Sequence, residues 1–301
     1  MSKKFAMIGA SGYIAPRHMR AIKETGHELV AVLDPNDSIG VIDQYFPKAK
    51  YFSEPERFDR HLDRLKRRDK AVDYVSICSP NYLHDSHIRM ALRNGAQAIC
   101  EKPLVLQPEH LDALETIEAE TGQKINCILQ LRLHPKIIEL KKKIDASEGR
   151  HKVQLTYITP RGQWYHRSWK GDMDKSGGIA TNIGVHFFDM LIWLFGKPLE
   201  SKVRYHENDK AAGTLMLPKA DVTWKLSVDP EDVPYDEWKP FRAIIIDGEE
   251  AMNFSDGFTD LHNISYKEIL KGNGFGLQDV KPALDLVYEI RNHNNQWEKR
   301  K

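Results

Sequence analysis

Residues 5–15 read Phe5-Ala6-Met7-Ile8-Gly9-Ala10-Ser11-Gly12-Tyr13-Ile14-Ala15. The four apolar residues predict a short buried strand, and the glycines that follow are typical of a turn that binds a dinucleotide. Gly9 permits the tight turn, and Gly12 lets the backbone approach a pyrophosphate at the start of the next helix. Ala15 stands where a third glycine is usual and is small enough for helix–strand packing. Taken alone, the turn is equally typical of an ordinary strand–helix connection.

An acidic residue follows the next apolar run at the spacing expected of a dinucleotide site. Val30-Ala31-Val32-Leu33 is followed by Asp34, 22 residues after Gly12. A carboxylate at this spacing hydrogen-bonds the hydroxyls of the adenosine ribose, and it would repel the 2′-phosphate of NADP. The strand, turn, helix, second strand and acid together predict a site for NAD.

Short apolar runs alternate with amphipathic segments through the first part of the chain. The runs cover residues 5–8, 28–33, 74–77, 96–100 and 125–129, and the amphipathic segments cover 16–25, 58–67, 83–94 and 108–121. Such an alternation is typical of a parallel sheet with helices on both faces. We therefore predict an α/β fold whose N-terminal domain, residues 1–128, is a doubly wound Rossmann sheet.

Strand patterns follow one another directly after about residue 150. They cover residues 153–159, 201–206, 213–216, 220–228, 242–246 and 251–254, with helical patterns at 183–195 and 277–293. This order predicts a C-terminal α+β domain, residues 129–301, with an open and mostly antiparallel sheet. An open sheet exposes one face, so we expect a homo-oligomer, a tetramer in particular. The last helix is a candidate for packing back on the first domain.

The composition favours neither a nucleic-acid partner nor a membrane, although a local basic pocket could still bind a polyanion. The 301 residues carry 44 Lys+Arg against 43 Asp+Glu, so no overall charge attracts nucleic acid or a membrane surface. No apolar run approaches the roughly 20 residues of a membrane-spanning helix. Cys78, Cys100 and Cys127 lie in apolar runs without paired spacing, which predicts buried thiols and a cytoplasmic protein. The 13 histidines include no His-x-x-x-His spacing and no set of clustered carboxylates accompanies them, so we expect no metal.

The stretch Cys100-Glu101-Lys102-Pro103 closes one of the predicted parallel strands. Ligands of such sheets bind outside the carboxyl ends of the strands, so Lys102 should lie at the mouth of the sheet beside the nicotinamide. Glu-Lys-Pro alone is weak evidence, because it also occurs on solvated loops. The predicted cofactor-binding residues are Gly9, Gly12, Tyr13, Ile14, Asp34, Ser79, Asn81, His84, Glu101 and Lys102.

A second motif lies in the C-terminal part, where Ser176-Gly177-Gly178-Ile179-Ala180-Thr181-Asn182-Ile183-Gly184-Val185-His186-Phe187-Phe188-Asp189 combines a glycine pair, a histidine and an acid. With Glu101-Lys102-Pro103, it resembles the glucose-fructose oxidoreductase, inositol dehydrogenase and rhizopine catabolism family over essentially the whole chain. Many members carry Asp where this chain has Asn182. The resemblance implies that Lys102 and His186 are catalytic, and the departure removes one candidate base.

The predicted roles rest on ordinary acid–base chemistry. Helical spacing places Asn182 and His186 on one face, one turn apart. A histidine has a reference pKa of about 6.5 and can accept the hydroxyl proton, while Lys102 could polarise the hydroxyl or hold an alkoxide. By itself His186 would more often be a core histidine; the glycine pair and Lys102 favour catalysis. Asn182 can orient substrate but cannot act as a base.

Longer segments resemble one subgroup of the family. They are 14–18, 78–84, 129–135 and 255–262, together with Asn182. The resemblance implies oxidation of the 3-hydroxyl of UDP-N-acetylglucosaminuronate in bacterial surface-polysaccharide synthesis, with NAD and in some members 2-oxoglutarate as the partner that reoxidises NADH. A different nucleotide sugar, a free polyol, or a non-catalytic nucleotide-sensing regulator are the alternatives.

A substrate with a diphosphate and a carboxylate needs cationic and hydrogen-bonding side chains around it. The predicted substrate-binding residues are Arg17, Arg161, Tyr165, Trp169, Lys170, Asn182 and His186, with Arg167, His18, Arg132 and His134 as further candidates. The loop 161–170 could equally be an exposed loop used in subunit contacts. His134-Pro135 could equally mark the start of a helix.

Overall fold

The computed structural model describes residues 2–235, 239–254 and 260–293. The chain forms two compact units, of which the first comprises residues 1–130 and 259–280 and the second comprises 131–258 and 281–301. The division at residue 128 stays a prediction. The observed units differ from the predicted domains, because residues 259–280 belong to the first unit.

The first unit is built on a parallel sheet. Its elements are β1 (Lys4–Ile8), α1 (Ala15–Glu24), β2 (Glu28–Leu33), α2 (Ile42–Tyr45), β3 (Lys50–Phe52), α3 (Pro55–Lys66), β4 (Tyr74–Ile77), α4 (His84–Arg93), β5 (Gln97–Cys100), α5 (His110–Thr121) and β6 (Ile125–Cys127). The strand order is β3-β2-β1-β4-β5-β6, and every pairing is parallel. The predicted doubly wound sheet is therefore confirmed.

The central strands β1 and β4 of this sheet are nearly continuous buried runs, because both faces of the sheet are covered there. Phe5, Met7 and Val75 are completely buried, and the Phe5 ring stacks on Tyr74 of the neighbouring strand at 5.0 Å between centroids. The short strand β3 was not predicted, because its three residues, two exposed and one partly buried, are too few to form an apolar run. The three cysteines are buried and form no disulfide with one another, as predicted.

The second unit is built on a mixed sheet. Its elements are α6 (Pro135–Ala146), β7 (His151–Ile158), α7 (Gln163–Arg167), α8 (Met173–Ser176), α9 (Val185–Phe195), β8 (Glu200–His206), β9 (Lys210–Leu217), β10 (Ala220–Ser227), β11 (Phe241–Ile246) and β12 (Glu249–Asn253). The strand order is β12-β11-β7-β10-β9-β8, and β10–β7 is the parallel pair. The other pairs are antiparallel, which confirms the prediction of a mostly antiparallel sheet.

The stretch from the start of α8 to the end of α9 lies in the core of this second unit. Within the described residues, Met173–Phe195 is 23 residues long and apolar enough, by length and composition alone, to cross a membrane. Its apolar window is 83% buried inside the fold, and Phe188 packs edge-on against the buried Trp224 at 5.2 Å. A buried stretch of this kind is the pattern of a core helix.

Two further helices close the described chain, α10 (Leu261–Leu270) and α11 (Leu277–Asn292). The sequence predicted α11 and gave His134-Pro135 as one possible start of a helix, where α6 begins, but it missed α10. In the first unit α10 packs along α1, and its Tyr266 is completely buried. The resemblance of segment 255–262 rests in part on residues 255–259, which lie outside the described residues.

Candidate active site

The glycine turn between β1 and α1 is shaped by close backbone contact. Gly9 has φ +86°, and a Cβ there would lie 2.6 Å from the carbonyl carbon of Cys78 and from the amide nitrogen of Ser79. No side chain fits this position. The Gly9 carbonyl accepts from the Gly12 N–H at 3.2 Å, and α1 starts with the Ala15 N–H donating to the Gly12 carbonyl at 3.0 Å. The turn thus brings bare backbone to a helix amino terminus, as a pyrophosphate site requires.

Asp34 follows β2 at the same edge of the sheet. Its carboxylate accepts hydrogen bonds from the Ser11 N–H and hydroxyl at 2.8 Å each, and from the Asn36 N–H at 2.8 Å. These bonds use three of the about four lone-pair positions of a carboxylate, so Asp34 keeps acceptor capacity for a ribose hydroxyl. The glycine turn and Asp34 therefore fit NAD, and Asp34 also orders the turn itself.

The loop after β4 is braced by two histidines of α4. The Ser79 hydroxyl lies 2.8 Å from Nδ1 of His87, and burial, reinforced by His84, lowers the pKa of His87 from 6.5 to about 4. His84 is completely buried, with Nδ1 2.7 Å from the Pro103 carbonyl oxygen and Nε2 2.8 Å from the Ser79 carbonyl oxygen. His84 therefore ties the Ser79 loop to the Lys102-Pro103 turn. This geometry favours a positioning role over direct contact with the cofactor.

The two contacts of His84 constrain its protonation. A carbonyl oxygen only accepts, so a neutral ring donates to one carbonyl and turns a lone pair toward the other. Burial lowers the pKa of His84, while the two carbonyl oxygens and the charge of Glu101 favour the protonated ring. The protonation state of His84 therefore determines how its ring bonds to the Ser79 loop and to the Lys102-Pro103 turn.

The Glu-Lys-Pro turn follows β5, as predicted. Glu101 is buried, and its carboxylate lies 3.0 Å from Nε2 of His18 and 3.0 Å from Nε2 of His262. Lys102 is partly exposed, and the peptide bond between Lys102 and Pro103 is cis.

Tyr13, which follows the glycine turn, is 87% exposed, and the Arg17 guanidinium lies 5.9 Å from the centre of its ring.

The predicted histidine of the second unit stands at the start of α9. His186 is partly exposed and follows the π-helical turn Ala180–Gly184, a backbone form frequent at functional sites. Asn182 lies in that turn and donates to the Tyr165 hydroxyl at 3.2 Å. Burial raises the pKa of Tyr165, although the Asn182 bond opposes this. Tyr165 is only 2% exposed, so it supports Asn182 rather than offering a surface for uracil.

A cationic group lies on the predicted loop 161–170. The Lys170 ammonium sits 4.3 Å from the centre of the Trp169 ring and 5.9 Å from that of Trp164. Burial lowers the pKa of Lys170, and the charge of Arg161 adds to this effect. Within the described ranges neither cation forms an ion pair with a carboxylate. Two neighbouring cations of this kind suit an anionic ligand.

Two other candidate residues are engaged within the second unit. Arg132 forms a buried two-bond ion pair with Asp189, at 3.0 Å from Nε and 2.6 Å from Nη2. His134 precedes α6, and its ring accepts from the Lys136 N–H at 3.2 Å as the helix cap. This ion pair gives Asp189, the acid of the second motif, a structural role. The cap supports the reading of His134-Pro135 as the start of a helix.

Sequence reasoning missed four residues around these loops: Ser76, His87, His262 and Tyr266. His87 follows His84 at helical spacing, which was a usable signal. The other three lie far from Glu101 along the chain, and a buried polar residue in a strand or helix has no distinctive local pattern. Their grouping required the tertiary structure.

The fold and the glycine turn define the class of dinucleotide-binding α/β proteins. Residues 3–128 match the NAD-binding Rossmann domain of the Gfo/Idh/MocA oxidoreductase family, and residues 150–229 match its C-terminal alpha/beta domain. The chain belongs to this family.

Among solved structures, the chain is similar to the WlbA (WbpB) dehydrogenase from Thermus thermophilus. The identity is 49% and the TM-score 0.93, over 96% of this chain and 94% of that one. The Thermus protein was solved with NAD and alpha-ketoglutarate and, separately, with NAD and UDP-GlcNAcA. The WlbA dehydrogenase from Bordetella pertussis, 20% identical with a TM-score of 0.77 over 98% of each chain, shares the fold.

Among curated proteins, the chain is similar to inositol 2-dehydrogenase from Rhizobium meliloti (strain 1021). The two are 28% identical over 201 residues, which is 65% of this chain and 56% of that protein. The chain spans about half the length of the curated relatives that it matches.

Proposed function

We propose that this protein is an NAD-dependent dehydrogenase that oxidises the 3-hydroxyl of UDP-N-acetylglucosaminuronate to a ketone in bacterial surface-polysaccharide synthesis. The observation that carries the proposal is the 49% identity, over 96% of the chain, to a dehydrogenase solved with NAD and UDP-GlcNAcA. The structure of the same relative with alpha-ketoglutarate supports 2-oxoglutarate as the second substrate, which restores oxidised cofactor.

The first unit holds the cofactor in this proposal. Bound NAD supplies a hydride acceptor for the carbon that carries the hydroxyl. The backbone at Gly9 and Gly12 takes the pyrophosphate, and Asp34 accepts from the adenosine ribose. Tyr13, Ile14, Ser79, Asn81, Glu101 and Lys102 complete the proposed contacts, and His84 acts by holding two loops together.

Proton removal is assigned to Lys102 and His186. Oxidation of an alcohol needs a group that accepts the hydroxyl proton and a charge that stabilises the developing alkoxide. An ammonium group supplies the charge, and an imidazole can accept the proton. Asn182 has no basic atom, so it orients the substrate or His186, and Tyr165 holds it in place.

The anionic parts of the substrate are assigned to cationic residues. Arg161 and Lys170 form the pair without a carboxylate partner in the described part of the second unit, and Trp169 offers a ring beside them. Arg17 is proposed as a further contact. The buried thiols support a reducing cytoplasm, and the open sheet of the second unit supports a homo-oligomer, proposed as a tetramer.

A second candidate is a dehydrogenase for a free polyol. The similarity to inositol 2-dehydrogenase supports it. A free polyol carries no anion for Arg161 and Lys170, so the geometry favours the sugar nucleotide.

The test is nicotinamide absorbance on mixing purified protein with UDP-N-acetylglucosaminuronate and NAD, with and without 2-oxoglutarate. We expect NADH to form, or 2-hydroxyglutarate to accumulate when the keto acid is present. K102A, which keeps the cofactor turn but lacks the ammonium group, serves as the inactive control. Reduction with myo-inositol but none with the sugar nucleotide would replace the proposal by the polyol alternative.

A further inference from the structure

The carboxylate of Glu101 joins three segments of the first unit. Oε1 lies 3.0 Å from Nε2 of His18 on α1 and 3.0 Å from Nε2 of His262 on α10. Oε2 accepts from the backbone N–H of Lys102 at 3.3 Å. The two histidines are 83 and 161 residues away in sequence, and both are buried. A single carboxylate therefore connects α1 and α10 to the backbone of Lys102.

A second layer of hydrogen bonds supports this carboxylate. Nδ1 of His18 lies 2.8 Å from the Tyr266 hydroxyl, which lies 2.6 Å from the Ser76 hydroxyl. The rings of His18 and His262 meet edge to face at 4.9 Å between centroids. All of these side chains are buried, so water does not compete for the bonds.

The network has a consistent arrangement of protons. Burial opposes ionisation of Glu101, but the hydrogen bonds from His18 and His262 outweigh it and hold the pKa of Glu101 well below its usual range. An ionised carboxylate only accepts, so each Nε2 carries a proton. Burial lowers the pKa of His18, against the Glu101 hydrogen bond, so its ring is neutral and Nδ1 accepts. Tyr266 then donates to His18, and Ser76 donates to Tyr266.

The same three side chains could be arranged around a metal ion, because their ligand atoms lie within 4.8 Å of one another. A metal would take the lone pairs of both Nε2 atoms and move the ring protons to Nδ1. Nδ1 of His262 is buried without a hydrogen-bond partner among the described residues. A buried N–H without an acceptor is rarer than an unused acceptor. The hydrogen-bonded arrangement is therefore favoured.

We propose that Glu101, held by His18 and His262, is a positioning residue for Lys102. This rests on the proposed function, in which Lys102 acts on the substrate hydroxyl. The carboxylate holds the backbone N–H of Lys102, which follows β5. It thereby sets the direction in which the Lys102 side chain extends from the backbone. On the other side of Lys102, His84 holds the Pro103 carbonyl. The turn is thus held at both ends.

The position of the ring protons is tested by nitrogen NMR on the full chain labelled with ¹⁵N-histidine. We expect His18 and His262 to carry a proton on Nε2 at neutral pH. A proton on Nδ1 beside a bare Nε2 in either ring would overturn the proposal, and so would about one equivalent of zinc or iron per chain by mass spectrometry. This measurement uses no sugar, so its outcome does not depend on the proposed function.

The kinetic test compares H262L with the matched variant H262Q, whose amide N–H can replace the Nε2–H donor. We expect kcat of H262L to fall by up to about 100-fold, because a displacement of about 1 Å suffices for such a loss. KM for the sugar nucleotide and Kd for NAD should stay within about twofold, and H262Q should recover most of kcat.

Equal kcat in the two variants, or a loss confined to KM or NAD affinity, would overturn the positioning role. If H262L does not fold by thermal unfolding, H262N takes its place, because its shorter amide does not reach Glu101. If wild-type protein does not oxidise the sugar nucleotide, the proposed function fails, while the NMR result still decides how Glu101 is held.

Discussion

Replacing His87 by asparagine removes a buried group whose titration weakens the fold in mild acid. His87 is 8% exposed, and its Nδ1 lies 2.8 Å from the Ser79 hydroxyl, within hydrogen-bond distance. Its pKa is lowered from 6.5 to about 4 by burial and by His84. Asparagine offers an oxygen near the position of Nδ1 and does not titrate in this range. The variant H87N therefore keeps the hydrogen bond and loses the titration.

The magnitude follows from the two pKa values. The unfolded chain protonates His87 near pH 6.5, and the folded chain only near pH 4. The unfolded state thus binds more protons between these values, so this stability is present above pH 6.5 and is lost as the pH falls toward 4. Between about pH 7.5 and about pH 5, linkage gives a loss of about 2 kcal/mol in unfolding free energy.

The assay is urea unfolding of wild type and H87N at both pH values, followed by tryptophan fluorescence and far-UV circular dichroism. Coincident transitions in the two signals establish two-state behaviour. Other buried histidines whose lowered pKa does not depend on His87, such as His18, contribute to both proteins and cancel in the comparison. We expect wild type to lose about 2 kcal/mol more than H87N. The same pH dependence in the two proteins would refute the assigned burial of His87.

Three further variants test the binding sites. G9A should lower NAD affinity at least about tenfold by fluorescence titration, because its Cβ would clash with the backbone. The matched control G26A has the same left-handed backbone but open space around it. It should lower the free energy of unfolding by only about 1 kcal/mol, measured by thermal unfolding. D34A should weaken NAD by about 10- to 100-fold and relax discrimination against NADP, and an unchanged NAD-to-NADP ratio of kcat/KM would contradict the role of Asp34. R161A combined with K170A should raise KM for the sugar nucleotide about tenfold without changing Kd for NAD. An unchanged KM would place the diphosphate elsewhere.

Residues close in sequence were enough to predict much of the proposed nucleotide site. Gly9, Gly12 and Asp34 follow strands at fixed spacings, because a turn and a strand end are local features with few allowed residues. The Glu-Lys-Pro turn was predicted in the same way, because it directly follows the end of a strand, β5. The short strand β3 and the helix α10 were missed, because three residues or a mixed polar surface give no clear period.

The sequence by itself determined the parallel sheet, the glycine turn and the acidic residue Asp34 directly after β2. Hydrophobic periodicity and turn chemistry act over a few residues, so a single sequence carries them. Tertiary structure alone decided which polar side chains meet. It paired Arg132 with Asp189 and Asn182 with Tyr165, and it brought His18 and His262 to Glu101. These pairings depend on how distant helices and strands pack, and burial makes each unpaired polar atom costly.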